Sequence, residues 1–397
     1  MKKINAVVKY FYPVTAGIET NMLETYSILA QKGWDVTIHT SNMTYSETNT
    51  LPEFETIRGL KIRRYKWGKF GFMPDIDWNS KSLLCLHNFD MFPHFQILLK
   101  VIYMKLLGRK KFSVVLIPHG GFSLDLAWSV YPKSQRFIKK NYNKLVGWRL
   151  INWAVDAIRA VSVWEGQDLL AKGINKGLIN VIPNGIENEA YLDVDNLASK
   201  DIKEKIKSWG DYIVQVGRVY PIKNYETTIQ ALAELPKNIK FVIIGPIETN
   251  QHPEYFNNLE KLIKKLGLED RVIFAGVIKG VDKYYAIKHA RLMSHMAIWE
   301  SFCNVVHEGM SQGLPCVVAN NTALPLLIKN NINGFCVDTY DTKELAQKIN
   351  FILSPKNKKA VAAMSMNNKK IALSESWVKV SKEIDKLYSK TANSKHA

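Results

Sequence analysis

Short apolar runs alternate with amphipathic stretches along this chain, a pattern that predicts parallel strands covered by helices. In the first half, residues 4–10 predict a strand, residues 18–32 a helix that ends at Gly33, and residues 34–40 a second strand. A strand, a loop, a helix and a parallel strand in this order open a Rossmann-like domain. The first half of the chain is therefore expected to form one.

The same alternation recurs from residue 211 onward. Apolar runs at 211–216, 241–245, 272–276 and 292–299 predict the strands of a second sheet. Asn224 precedes a helical pattern over residues 225–235, which makes it a candidate N-cap. The second half is therefore expected to form another Rossmann-like domain.

The two patterns predict an α/β protein with two domains. The first is expected to span residues 1–190 and the second residues 211–373, with a polar linker that contains a short helix over 191–210. A chain of 397 residues is long enough to bury a separate core in each domain.

Two carboxylates stand eight positions apart, at Glu300 and Glu308. Glu300 falls in a loop after a strand, and Glu308 lies a little over one turn into a helix that starts near Asn304. The free N–H groups of such a helix start suit phosphate, and both carboxylates can accept hydrogen bonds from hydroxyl groups. The pattern favours sugar and ribose hydroxyls beside a diphosphate, and the alternative is an ordinary βαβ segment with solvated carboxylates.

Cations and histidines also follow predicted strands. Arg218 and Lys223 flank the first loop of the second domain, where they can neutralise a diphosphate or, alternatively, form surface ion pairs. His87 and His119 follow the apolar runs 83–87 and 114–118 in the first domain. Because ligands of open α/β sheets gather beyond the carboxyl ends of the strands, both histidines are candidate site residues.

Five motifs occur in a characteristic order. They are Ile182-Pro183-Asn184-Gly185-Ile186, Val216-Gly217-Arg218, Lys223, Phe274-Ala275-Gly276, and Glu300-x7-Glu308 followed by Gly309-Met310-Ser311-Gln312-Gly313-Leu314-Pro315. Together they resemble the signature of the family 4 retaining glycosyltransferases, also called glycosyl transferases group 1. The resemblance implies the GT-B fold, with two Rossmann-like domains facing across a cleft and a C-terminal helix in residues 374–397 that crosses back to the first domain.

The resemblance also implies a reaction and a set of site residues. The expected enzyme moves a sugar from a UDP- or GDP-linked donor to a hydroxyl acceptor, with retained anomeric configuration and without a metal ion or cofactor. The catalytic candidates are His119, Arg218, Lys223 and Glu300. The donor candidates are Gly17, Gly217, Ile278, Ser301, Phe302, Cys303, Asn304 and Glu308, and the acceptor candidates are Tyr12, Ala16, His87 and Asn88. Glycines of the family pattern are replaced by Ala16, Cys303, Thr322 and Ala323, which weakens the donor assignment.

The net charge of +18 indicates an anionic partner. The sequence shows no zinc-finger spacing, RNA-binding aromatic motif or basic tail that would favour nucleic acid as this partner. Basic residues cluster with apolar ones around 58–69, 100–111 and 133–149 instead, which suits either an anionic membrane or a solvated lysine-rich face. A lipid-linked glycan of envelope polysaccharide or lipopolysaccharide synthesis is therefore the expected acceptor.

Several features bear on location and on rival functions. Four cysteines without paired or metal-ligand spacing, and no secretory or bilayer-spanning apolar run, predict a cytoplasmic protein, at the inner face of the cell membrane if it binds lipid. Asp75-Ile76-Asp77 has the spacing of a metal-diphosphate motif, but no strand precedes it, so a loop or cap is favoured. A nucleotide-sugar epimerase and a non-catalytic sugar- or nucleotide-binding scaffold of the same fold remain the alternatives.

Overall fold

The computed structural model of the protein describes residues 2–14, 17–44, 51–88, 92–120, 133–247 and 252–394. The chain divides into two compact units, Met1–Gly185 with Trp377–Ala397, and Ile186–Ser376. Each unit contains a mainly parallel sheet with helices between its strands. The prediction of an α/β protein with two Rossmann-like domains is confirmed.

The first unit contains an eight-stranded sheet in the order β3-β4-β2-β1-β5-β6-β7-β8. Its strands are β1 (Lys3–Val7), β2 (Asp35–Ser41), β3 (Phe54–Ile57), β4 (Leu60–Tyr65), β5 (Leu83–His87), β6 (Ser113–Ile117), β7 (Ala157–Ala160) and β8 (Ile179–Val181). All pairs are parallel except β3 with β4, and the central strands β5 and β6 are fully buried. Their continuous apolar sequences are typical of strands that are covered on both faces.

Helices alternate with these strands. They are α1 (Gly17–Gln31), α2 (His94–Leu106), α3 (Lys133–Tyr142), α4 (Trp148–Ala154) and α5 (Val163–Ala171), with a π-helical turn at Asn143–Gly147. Apolar residues of α2 and α4 pack with β5, β6 and β7 in one core. No helix within the described ranges is long and apolar enough to cross a bilayer.

The second unit contains a six-stranded, fully parallel sheet in the order β11-β10-β9-β12-β13-β14. Its strands are β9 (Tyr212–Val216), β10 (Lys240–Ile244), β11 (Val272–Gly276), β12 (Leu292–His295), β13 (Cys316–Ala319) and β14 (Gly334–Val337). Its helices are α6 (Val194–Leu197), α7 (Lys200–Trp209), α8 (Tyr225–Leu232), α9 (Pro253–Leu266), α10 (Gly280–Lys288), α11 (Asn304–Ser311), α12 (Leu324–Leu327), α13 (Thr342–Leu353) and α14 (Lys358–Ala372).

Residues 191–210, the expected linker with a short helix, form α6 and α7 and group with the second unit. Ile202, Ile206 and Trp209 are buried in its core although the segment is mostly charged. Their spacing places them on one face of α7, so three apolar side chains are enough to dock a helix whose other faces are polar.

The last helix, α15 (Trp377–Asn393), belongs to the first unit. Its Trp377 is buried against Gly185, where a Cβ atom would lie 2.4 Å from the indole ring. Trp34 donates a hydrogen bond to Asp385 over 2.8 Å. The predicted return of a C-terminal helix to the first domain is therefore confirmed.

Candidate functional site

The loop between β12 and α11 carries the first carboxylate of the predicted pair. The strand predicted over 292–299 ends earlier, at His295, and the chain reaches α11 through Glu300 and Cys303. Cys303 has a left-handed φ of 70° at the N-cap of α11, although a glycine is more usual in that conformation. The first turn of α11 therefore follows Glu300 closely. Its Val306 N–H donates to Cys303 O over 3.1 Å, and a helix start carries further N–H groups that point away from the helix body.

Glu300 lies between two basic side chains. Lys223 Nζ donates to its Oε1 over 2.6 Å, and His295 Nε2 lies 2.9 Å from the same oxygen. Burial by itself raises the pKa of Glu300, but Lys223 and His295 outweigh it and lower that pKa to about 2. The carboxylate is therefore ionised, and among the described residues its Oε2 has no hydrogen-bond partner.

The loop from Gly217 to Lys223 places the two predicted cations. Gly217 N donates to Ile244 O over 2.8 Å, and a Cβ atom on Gly245 would lie 2.1 Å from Gly217 O. Only glycine allows this approach of two backbones. The Arg218 guanidinium lies 4.6 Å from the Tyr220 ring centroid. Its positive charge acts to lower the pKa of Lys223.

Asn224 occupies the predicted N-cap position of α8 but does not cap the helix through its side chain. Its side chain makes no hydrogen bond to a helical N–H; its oxygen accepts from the Thr227 hydroxyl over 2.9 Å. Its amide instead donates to Met296 O and Thr339 O over 2.9 and 3.0 Å. Because Asn224 has a left-handed φ of 49°, its side chain points toward neighbouring loops and ties them to the Lys223 loop.

The second carboxylate, Glu308, belongs to a separate buried network. Lys283 Nζ lies 3.1 Å from Glu308 Oε1 and 2.8 Å from Glu187 Oε2. Burial lowers the pKa of Lys283, but the two carboxylates outweigh this and raise it, so its ammonium stays charged. Glu308 Oε2 is buried and has no hydrogen-bond partner in the described part of the chain. An orphaned buried acceptor is costly unless a ligand supplies the donor.

Other predicted donor residues lie in the loop before α11, in its first residue, and after β11. The Phe302 ring stacks on His307 with centroids 4.1 Å apart, and His307 Nδ1 contacts Glu375 over 2.5 Å. Asn304 opens α11, and Ser301 lies in the loop before it, ahead of Phe302 and Cys303. Ile278 follows β11 and packs against the core of the unit.

The first unit holds His119 in a strained loop after β6. His119 and Gly120 both have left-handed φ angles, 50° and 80°. Buried Glu165 fixes this loop, because its carboxylate accepts from the N–H groups of Gly120 and Val161. Burial lowers the pKa of His119 to about 3, with a smaller contribution from Arg159, so its imidazole is neutral.

His87 is fully buried, which differs from the exposed position that a direct acceptor contact requires. Its Nε2 lies 2.6 Å from the Tyr26 hydroxyl and its Nδ1 lies 3.0 Å from His119 Nε2. Both ring nitrogens of His87 are therefore engaged within the protein.

The remaining predicted residues of the first unit lie near its first loop or β5. Tyr12 is partly exposed, Gly17 opens α1, and Asn88 follows β5 with a φ of 68°. Ala16 lies outside the described residues.

The Asp75–Asp77 segment agrees with the predicted loop. Asp75 pairs with Arg63 over 2.6 Å, and Asp77 accepts from the N–H of Asn79 over 3.0 Å.

Comparison with solved structures identifies the class of fold. An Anabaena protein crystallised with UDP-glucose is 19% identical, with a TM-score of 0.73 over 98% of this chain and 100% of that one. At this identity the likeness shows the fold, which is GT-B.

Sequence comparison then identifies the family. The model described as "Glycosyltransferase Family 4" matches residues 15–190, and "Glycosyl transferases group 1" matches residues 199–371. This chain belongs to the family 4 glycosyltransferases.

Two curated relatives illustrate the range of similarity. An uncharacterised glycosyltransferase of Methanocaldococcus jannaschii is 24% identical over 99% of this chain and 100% of its own length. A UDP-Gal:alpha-D-GlcNAc-diphosphoundecaprenol alpha-1,3-galactosyltransferase of Escherichia coli is 28% identical, over 48% of this chain and 48% of its own length. The chain thus spans only about half the length of some curated relatives that it matches.

Proposed function

We propose that this glycosyltransferase retains anomeric configuration and moves a sugar from a UDP- or GDP-linked donor to a hydroxyl acceptor without a metal ion. The observation that carries the proposal is the 2.6 Å ion pair of Lys223 with Glu300, just before the N-terminus of α11. A partly buried ammonium and the N-terminus of a helix together suit the diphosphate of such a donor.

The proposed donor contacts follow from acceptor atoms that the fold leaves without partners. Glu308 Oε2 is assigned to the ribose hydroxyls, and Glu300 Oε2 to a hydroxyl of the sugar. The Anabaena structure with UDP-glucose supports a uridine nucleotide as the first candidate. His119 is assigned to the donor sugar, as the family resemblance implies.

Metal independence is supported by the chemistry of the one cluster of possible ligands in the described residues. Ligand atoms of His295, Glu300 and Cys303 lie within 4.8 Å of one another. A metal ion at this cluster would lie close to the Lys223 ammonium, which holds Glu300 Oε1 over 2.6 Å, and the two cations would repel each other. Burial also raises the pKa of Cys303 well above its ordinary value, which opposes the thiolate that a metal prefers. Lys223 therefore serves as the cation in the proposed reaction.

In the proposed reaction, the bond between the anomeric carbon and the donor diphosphate breaks while Lys223 and Arg218 neutralise the charge on the departing oxygen. The acceptor oxygen forms the new bond on the same face, and its proton passes to the leaving diphosphate. His119 is not the base in this scheme, because a pKa of about 3 leaves its imidazole too weakly basic to take that proton.

A lipid-linked acceptor at the inner face of the cell membrane is supported by one surface of the first unit. Several large apolar side chains of α2, α3 and α4 are exposed, among them Tyr103, Leu106, Phe137 and Trp153. Lysines of the same helices, including Lys100, Lys105 and Lys139, can attract anionic headgroups. The E. coli relative is named for an acceptor on diphosphoundecaprenol, which fits this assignment.

Replacing Phe137 and Trp153 together by serine is expected to weaken binding to vesicles that contain anionic lipid about tenfold or more, because two exposed aromatic anchors are lost. Co-sedimentation with vesicles measures the effect. The matched control replaces exposed Tyr340 of the second unit by serine and is expected to bind like the unaltered protein. Equal binding of all three proteins would contradict a membrane role for this surface.

The transferase itself is tested by incubation with UDP- and GDP-sugars, with and without acceptors such as alkyl glycosides. Release of the nucleoside diphosphate is expected only when an acceptor is present, and the anomeric configuration of the product, read by NMR, should match the donor. Conversion of the donor without acceptor would favour an epimerase instead. Failure of every nucleotide to raise the melting temperature would favour a non-catalytic scaffold.

A further inference from the structure

Three side chains of the first unit form a buried hydrogen-bonded series that ends at His119. The Tyr26 hydroxyl on α1 lies 2.6 Å from His87 Nε2 at the end of β5. His87 Nδ1 lies 3.0 Å from His119 Nε2, and the two imidazoles stack with centroids 5.3 Å apart. Tyr26 and His87 have no exposed surface, whereas His119 is partly exposed. The series therefore leads from the core to a side chain that a ligand can reach.

Both imidazoles in the series are neutral. Burial lowers the pKa of His87 well below its ordinary value, with contributions from His119 and Arg159, and burial lowers the pKa of His119 to about 3. A neutral imidazole has one N–H and one bare nitrogen, so a hydrogen bond between two of them links their tautomers. Only two arrangements fit the contacts: the protons point from Tyr26 toward His119, or from His119 toward Tyr26.

The first arrangement is favoured by the chemistry of Tyr26. Burial raises the pKa of the phenol well above its ordinary value, so the hydroxyl keeps its proton and needs an acceptor. His87 Nε2, at 2.6 Å, is a strong acceptor for that proton. His87 then carries its proton on Nδ1 and donates to His119 Nε2, which leaves the proton of His119 on Nδ1.

We propose that His87, itself held by Tyr26, is a positioning residue that fixes His119 as the Nδ1–H tautomer, so that His119 can only donate a hydrogen bond through its free ring nitrogen. Among the described residues, His119 Nδ1 has no hydrogen-bond partner. The natural recipient is an oxygen of the donor sugar or its phosphate. This last step depends on the donor role of His119 proposed above, whereas the tautomer does not.

Two-bond 1H–15N correlation spectra of the histidine rings test the tautomer without any substrate. In the unaltered protein, both His87 and His119 are expected to carry the proton on Nδ1. In Tyr26→Phe, which removes only the hydroxyl oxygen, His119 is expected to shift partly or wholly to the Nε2–H form. A proton on His119 Nε2 in the unaltered protein would overturn the proposal, and so would an unchanged tautomer in the variant.

Tyr65→Phe is the matched control. Tyr65 contacts His39 Nδ1 over 2.8 Å in the same unit, so this variant also removes one tyrosine–histidine hydrogen bond. It is expected to leave the His119 tautomer and the transfer rate unchanged. A change of the His119 signals in Tyr65→Phe as large as in Tyr26→Phe would mean that the series has no specific role.

Kinetic measurements then separate the hydrogen-bonded series from the proposed contact of His119 with the donor sugar. Tyr26→Phe is expected to lower kcat/KM about threefold to tenfold, as loss of one oriented hydrogen bond predicts. His87→Leu should lower it at least as far, and His87→Gln should restore part of it because an amide can still donate to His119 Nε2. A changed His119 tautomer with unchanged kinetics would support the tautomer control by the series but would contradict a contact of His119 with the donor sugar. Unchanged spectra and kinetics in all variants would overturn both.

Discussion

Replacement of Lys223 by alanine is expected to lower kcat by a factor of about 10² to 10³ while the fold is kept. The ammonium bonds to Glu300 over 2.6 Å and lies within electrostatic range of Arg218. Loss of one preorganised group that stabilises developing charge costs catalysis by about that factor. The variant also leaves Glu300 with His295 alone, so the pKa of Glu300 is expected to rise from about 2. Steady-state kinetics with the UDP- or GDP-sugar that serves as donor measure the effect.

Two further variants separate charge from packing at this position. Lys223→Met keeps an apolar stem of similar length and should be as inactive as the alanine variant, whereas Lys223→Arg should recover part of the activity. Lys264→Ala removes an exposed lysine of α9 in the same unit and should behave like the unaltered protein. Unchanged turnover of Lys223→Met, with a normal melting temperature, would rule out Lys223 as the cation that receives the diphosphate.

The fold was predictable because its signals are local. The apolar runs that became β5 and β6 are fully buried, and their sequences are apolar almost throughout. The docking of residues 191–210 on the second unit has no such local signal. The charged residues of this segment outnumber Ile202, Ile206 and Trp209, the three apolar residues on the buried face of α7. Only the position of the sheet shows where these three side chains pack.

The candidate site was predictable where its residues follow strands or belong to a motif. Lys223, Glu300 and Glu308 were expected together, and the structure places two of them in one ion pair. His295 was missed because the strand was predicted to continue to residue 299, which placed His295 inside it, whereas β12 ends at His295 as β5 ends at His87.

Lys283 had no such signal. It is one of several lysines in α10 and its surroundings, and only the folded structure shows that it is buried between Glu308 and Glu187. The role of His87 depended on the same kind of long-range information. Its sequence position predicts the edge of a sheet, but Tyr26 and His119, which engage both of its nitrogens, lie 61 and 32 positions away.

Glu308→Gln is expected to weaken the binding of UDP about 10- to 100-fold, as loss of a charged hydrogen-bond acceptor predicts. Glu308 Oε2 is buried without a partner among the described residues, while Oε1 is held by Lys283. A glutamine has nearly the same shape but presents only one acceptor oxygen. If that oxygen keeps the hydrogen bond from Lys283, the NH2 group of the glutamine faces the ribose in place of the Oε2 acceptor. Titration calorimetry with UDP measures the change in affinity.

Glu187→Gln provides the matched control, because Glu187 contacts the same Lys283 ammonium from another side, at 2.8 Å. Both variants remove one negative charge from the network and leave Lys283 with one carboxylate. If Glu308 binds the ribose directly, Glu308→Gln should lose affinity while Glu187→Gln changes it by less than about threefold, which corresponds to under 1 kcal/mol. Equal losses would mean that the network acts only through the charge of Lys283, and normal affinity of Glu308→Gln would remove Glu308 from the nucleotide site.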